Sequence, residues 1–179
     1  GVYLGLYSGL NTITKTNITY NTIGIYLYNC WTNIIANNTL ANMDVGIMFD
    51  GNNNSINNNI LDECATGIVI YGGSNSVSNN TIRDSFGYGI LLQGWNYTNG
   101  NSISNNAIIM TDGNIGYSGI FADTASNYPN TFTANTISSY LTGIEIAHGP
   151  NKFIKNTVFS NEYGLLIWDY TQYPSPVIY

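Results

Sequence analysis

Short apolar runs alternate with polar turns along the whole chain, and they recur in a fixed order. Gly67-Ile68-Val69-Ile70 opens one repeat. A polar turn leads to Asn75-Ser76-Val77, another to Asn80-Thr81-Ile82, and a third to Gly89, where the pattern restarts. Glycines opening a Gly-apolar-x-apolar run stand at Gly1, Gly24, Gly46, Gly67, Gly89, Gly119, Gly143 and Gly164, at spacings of 23, 22, 21, 22, 30, 24 and 21 residues. A repeat of that length marks a solenoid. The pattern predicts an all-β, single-stranded, right-handed parallel β-helix of about eight coils, each with three short strands and three turns.

A second apolar set has an invariant internal spacing. Ile13 and Ile18, Ile35 and Leu40, Ile56 and Leu61, Val77 and Ile82, Ile103 and Ile108, Phe132 and Ile137, and Phe153 and Val158 are all five apart. This predicts two strands joined by the same tight turn in seven successive coils. Asparagine stands two residues before the first apolar position of every pair: Asn11, Asn33, Asn54, Asn75, Asn101, Asn130 and Asn151. Two before the second stand Asn38, Asn59, Asn80, Asn106, Asn135 and Asn156, with Thr16 the substitute. Asparagine tolerates left-handed corners, and stacked asparagine amides hydrogen-bond along an axis. The fixed register sets these residues apart from a polar low-complexity tract.

The GIxL…NxI…NTI coil resembles the parallel β-helix repeat of the pectate-lyase-like and NosD-like group, from Gly1 to about Ile167. The resemblance implies the fold and leaves the activity open, because such scaffolds host sugar lyases, hydrolases, tailspikes and surface proteins. It also implies that any saccharide lies along the outer face of the first sheet.

Composition narrows the function classes. Charged residues make up 8% of the chain and the formal net charge is -6, with Lys15, Arg83, Lys152 and Lys155 the only Lys and Arg. That balance disfavours a nucleic-acid partner. Low charge with 15 Tyr and abundant Asn, Thr and Ser suggests an extracellular or cell-surface setting. No apolar run approaches the ~18 residues of a membrane span. Starting at Gly1 in mid-register, without an initiator Met or signal peptide, the chain reads as a processed or excised piece. Cys30 lies six residues after its glycine and Cys64 eighteen after its own, so the two read as separate thiols. Sequons at Asn17, Asn37, Asn53, Asn79 and Asn96 are candidate glycosylation sites.

The coil lengths place the irregularities. Residues 93–100 expand the first turn of the fifth coil, and 110–118 expand its last. Residues 122–129 expand the first turn of the sixth, so the loops 93–100 and 122–129 should be neighbours. The β-helix domain is expected over 1–169. Residues 170–179, containing Pro174 and Pro176, read as an extended tail able to add Val177-Ile178-Tyr179 to a neighbouring subunit.

Side chains alternate along a strand, which identifies the outward columns. Those of the second and third strands are mostly polar. On the first strand the outward column is Tyr3, Tyr26, Met48, Val69, Leu91, Phe121, Glu145 and Leu166. An apolar stripe of that length invites cover, and neither end of the repeat reads as capped. A self-assembling structural subunit, a homo-oligomer or filament built through this stripe, is the first expectation.

A saccharide-binding module or a polysaccharide-active enzyme is the alternative. The next outward column reads Gly5, Tyr28, Asp50, Tyr71, Gln93, Asp123, Ala147 and Trp168. Asp123, Glu145 and Asp169 lie on three successive coils near His148, and paired carboxylates suit glycoside hydrolysis. Yet no basic residue stands nearby for a lyase, and the Asp motifs of polygalacturonases are absent. His148, before Gly149-Pro150, reads as a solvated turn residue. Trp95, Tyr97, Tyr128 and Trp168 are the candidate sugar platform. With one His, three scattered Met and two separate Cys, no metal site and no cofactor are expected.

Overall fold

The computed structural model describes residues 1–94, 98–124, 128–168 and 177–178. Every strand pair in them is parallel, and none of them is helical. They form seven complete turns of a β-solenoid, and Tyr163–Ile167 begins an eighth. The second strands of the coils form an eight-stranded sheet. First and third strands merge into a thirteen-stranded sheet, because Thr39–Asp50 and Ile60–Ile70 run unbroken round the corner between the two faces.

Stacking of identical positions explains the sequence pattern. Ile25, Ile47, Ile68, Ile90 and Ile120 follow one another in register and are fully buried. Leu40, Leu61, Ile82, Ile108 and Ile137 do the same on the third face. Phe132 and Phe153 stack in parallel with centroids 4.6 Å apart. The coil-opening glycines are required by space. A Cβ on Gly67 would come within 2.6 Å of both the Gly89 carbonyl oxygen and Ile82 Cγ2.

The invariant five-residue offset has a backbone cause. Lys15, Asn37, Asn58, Asn79, Asn105, Ala134 and Lys155 occupy the same turn position with φ between 53° and 58°. One left-handed residue per coil turns the chain between the second and third faces. The next residue is the ladder asparagine, and Asn38, Asn59, Asn80, Asn106 and Asn135 are all buried. The other ladder, Asn33, Asn54, Asn75, Asn101, Asn130 and Asn151, is buried too.

Two segments depart from the regular coil. Beside the expanded segment after Ile109, the fully buried Tyr140 phenol ring packs against Gly89, Gly116 and Gly119. A Cβ on Gly116 would lie 2.5 Å from that ring. Val177–Ile178 pairs with Lys152 and Phe153, extending the second sheet of its own chain. This corrects the expectation that 177–179 reaches a neighbouring subunit: the open edge of Lys152–Ile154 offers unpaired backbone groups much closer at hand.

Candidate functional site

The outer face of the first sheet brings most of the candidate residues together. Tyr3, Tyr26, Met48, Val69, Leu91, Phe121, Glu145 and Leu166 follow one another in unbroken register. The stripe is less open than alternation alone implies, because Val69 is only 2% exposed and most of its neighbours are half-buried.

The next outward column departs from the sequence reading at one place. The register shifts after Ala122, so that Asp123 pairs with His148 and the expected Ala147 is buried. A bulge of this kind inserts one residue and re-aims the side chain that follows. His148 is thus the last residue of the strand Tyr140–His148, not a solvated turn residue. Its Nδ1 lies 2.6 Å from Asp123 Oδ1, and both side chains are partly exposed.

Glu145 is the hub of the adjacent column. Its Oε2 accepts a short hydrogen bond from the Ser118 hydroxyl, and its Oε1 accepts one from Trp168 Nε1 at 2.9 Å. Ser118 comes from the strand Gly116–Asp123, and Trp168 follows Tyr163–Ile167. The carboxylate therefore clamps three successive coils. Tyr88 and Phe121 pack beside it with centroids 5.4 Å apart. Burial, the Glu145 charge and Tyr117 together push the Tyr88 phenol above its ordinary value. Trp168 remains 48% exposed, leaving part of its indole free beside the anchored Glu145 carboxylate. Ser118 escaped sequence reasoning, because its role depends on which outward side chain the next coil supplies.

The expanded turns flank this face. Gly94 N–H donates to the Asp123 carbonyl at 3.1 Å, and Thr98 Oγ1 donates to the Tyr71 carbonyl at 2.8 Å. The described ends of the two loops are therefore anchored to adjacent coils. Tyr128, on the second loop, is exposed. Trp95, Asn96, Tyr97 and Asp169 lie outside the described residues.

This fold and this repeat decide the family. A family model described as "Periplasmic copper-binding protein (NosD)" matches residues 1–167. The chain belongs to the NosD family. A search of the curated proteins returned no match. The NosD family is periplasmic, which places it outside the cytoplasm. In this NosD-family chain no helix among the described residues is long and apolar enough to cross a membrane.

The remaining candidates fall apart in space. Cys30 and Cys64 are both free and buried. The Cys30 thiol donates to backbone carbonyls, including Gly5 at 2.9 Å. Burial pushes the Cys64 thiol up to about 11. Among the described residues no three His, Cys, Asp or Glu gather as metal ligands. Asn17, Asn37, Asn53 and Asn79 are exposed, but in the last three sequons the middle residue is a buried ladder asparagine, Asn38, Asn54 or Asn80. The left-handed Asn, the ladder Asn and the outward Thr or Ser of one turn spell a sequon by themselves.

Proposed function

We propose that this extracytoplasmic β-helix recognises a polysaccharide laid along the outer face of its first sheet. The observation that carries the reading is Glu145, fixed by Ser118 and Trp168 with the Asp123–His148 pair one outward position away. Carboxylates held rigid by internal donors keep free lone pairs for sugar hydroxyls, and a half-exposed indole offers a stacking surface. Preorganisation of this kind reduces the ordering cost of binding. An extracellular or cell-surface position and a binding rather than bond-cleaving role complete the proposal. Affinity electrophoresis against neutral, acidic and amino polysaccharides is the test. Retardation by at least one, relieved in Trp168→Ala and Glu145→Ala, is expected; uniform mobility, or retardation unchanged by both substitutions, contradicts it.

Among the described residues the copper in the family's description finds no matching donor set. His148 Nδ1 is engaged by Asp123. Met43 and Met110 are buried in the core, and the Cys64 thiol is held protonated by burial. Soft-metal sites need thiolate, thioether or imidazole donors converging with open access, and the described residues do not gather such a set.

A second reading is self-association through the same sheet, forming an oligomer or filament. The unbroken column from Tyr3 to Phe121 favours it. Sedimentation over a wide concentration range separates a monomer from an assembling species.

A further inference from the structure

The far end of the same sheet carries a second constellation, made of different residues. Tyr3 pairs with Tyr26 across adjacent strands, with ring centroids 5.5 Å apart. The Tyr26 ring is 6.0 Å from Tyr28, two residues along its strand. Asp50 pairs with Tyr28 in the next coil. Tyr71 follows Asp50 in the same outward column, its backbone N–H donating to the Phe49 carbonyl at 3.0 Å. Burial, then Asp50, then the hydroxyls of Tyr28, Tyr3 and Tyr71 all raise the Tyr26 phenol above its ordinary value, so the five groups share one electrostatic neighbourhood.

Asp50 stands apart from the other carboxylates of this face. Asp123 has His148, and Glu145 has Ser118 and Trp168. The Asp50 side chain makes no ion pair and no hydrogen bond among the described residues. Lys15, Arg83, Lys152 and Lys155 lie on other faces or turns, and Arg83 is paired with Asp62. A half-buried carboxylate among four phenol rings, two of them 61% and 39% exposed, lacks a counter-charge.

We propose that Tyr3, Tyr26, Tyr28, Tyr71 and Asp50 form a binding site for an organic ammonium group. Aromatic faces attract such cations through their quadrupoles, most strongly when several rings surround the charge. The carboxylate supplies the opposing full charge at close range. One carboxylate is too few oxygen donors for calcium, which takes six to eight, whereas an amine is satisfied by a single acceptor and π faces. The amine arrives either as a small quaternary or primary ammonium compound or as an amino group on a polymer, such as a de-N-acetylated aminoglycan. This inference is independent of the Glu145–Trp168 reading.

Calorimetric titration of the full chain with tetramethylammonium, a glucosamine oligomer and its N-acetylated counterpart tests it. Saturable binding of tetramethylammonium identifies a site for the cation alone. Binding of the glucosamine oligomer without it identifies the polymer-borne amine. Either result supports the site if Asp50→Asn or Tyr28→Ala weakens binding about tenfold or more while Tyr26→Phe, which keeps the ring, retains it. Circular dichroism checks that each variant is folded. Equal binding of the acetylated and free-amine oligomers, no saturable binding of either cation, or binding unchanged by Asp50→Asn overturns the proposal. Loss of polysaccharide retardation in Trp168→Ala with amine binding intact would separate this site from the other.

Discussion

Asn59 gives both its backbone N–H and its side-chain amide to a single acceptor, Asn80 Oδ1, each at 3.0 Å. Asn80 repeats the arrangement with Asn106 one coil on, and its amide also reaches back to the Ile56 carbonyl at 3.0 Å. Asn38, Asn59, Asn80, Asn106 and Asn135 each tie the coil before them to the coil after in this way. Asn80→Leu removes the acceptor of two Asn59 donors and the amide that reaches Ile56 and Asn106, at about 1–3 kcal/mol for each group left unpaired where water cannot reach. The neighbouring exposed Asn79 only holds the left-handed corner, so Asn79→Gly should change stability by a few tenths of a kcal/mol. Chemical denaturation of the two variants measures the contrast; equal losses would contradict the ladder.

Ala134 fills the left-handed corner that Asn37, Asn58, Asn79 and Asn105 fill in other coils, with φ of 53°. A Cβ in that region costs about 1–2 kcal/mol unless the side chain hydrogen-bonds locally. Ala134→Gly and Ala134→Asn should both raise the melting temperature, the glycine variant by relief of strain and the asparagine variant by local bonding. A drop in both would show that the corner is not strained.

Tyr140 is buried with its hydroxyl against the Ser85 backbone but without a hydrogen bond of good geometry. Burial raises its phenol well above the ordinary value. A raised pKa favours the neutral form in the fold, so this contribution is intact below the unfolded value of ~10 and is lost as the pH climbs beyond it. Tyr140→Phe removes an unpaired polar atom and should be neutral or stabilising at pH 7. It should also soften the alkaline loss of stability seen by thermal denaturation. Tyr140→Ala should cost about 3–5 kcal/mol through the cavity it opens.

Asp84 anchors the expanded segment of the fifth coil. Burial alone would raise its carboxyl, but bonds from the Thr111 backbone and hydroxyl and the Asp112 N–H outweigh it and lower the pKa. A lowered pKa contributes stability that is present above the unfolded value of ~3.9 and lost as the pH falls through the folded one. Asp84→Asn should therefore melt below wild type at pH 7, and the gap should close in strong acid. A gap independent of pH would rule out the charged form as the anchor.

The repeat made nearly all of the scaffold legible. Glycine spacing, the five-residue offset and the two Asn columns each report a contact between identical positions in adjacent coils, and such contacts are written into one chain at fixed intervals. The site was only half legible. Asp123, Glu145 and Trp168 stand out by type and column, whereas His148 reaches its place through a bulge that no periodicity encodes. Ser118 joins because the Glu145 side chain, opposite Phe121 in the next coil, reaches back to its hydroxyl. Val69 looked like exposed stripe and is buried, since alternation fixes the direction of a side chain and not the size of its neighbours. A Lys at Val69 would consequently disturb folding as well as any interface.

Whether the outer face of the first sheet is the recognition surface is best decided by hydroxyl-radical footprinting of the chain with and without a retained polysaccharide. Tyr88, His148 and Trp168 should lose reactivity together when ligand is bound, while exposed Ile34 and Ile60, on the second and third faces, keep theirs. Protection confined to those other faces, or none at saturating ligand, would contradict the account.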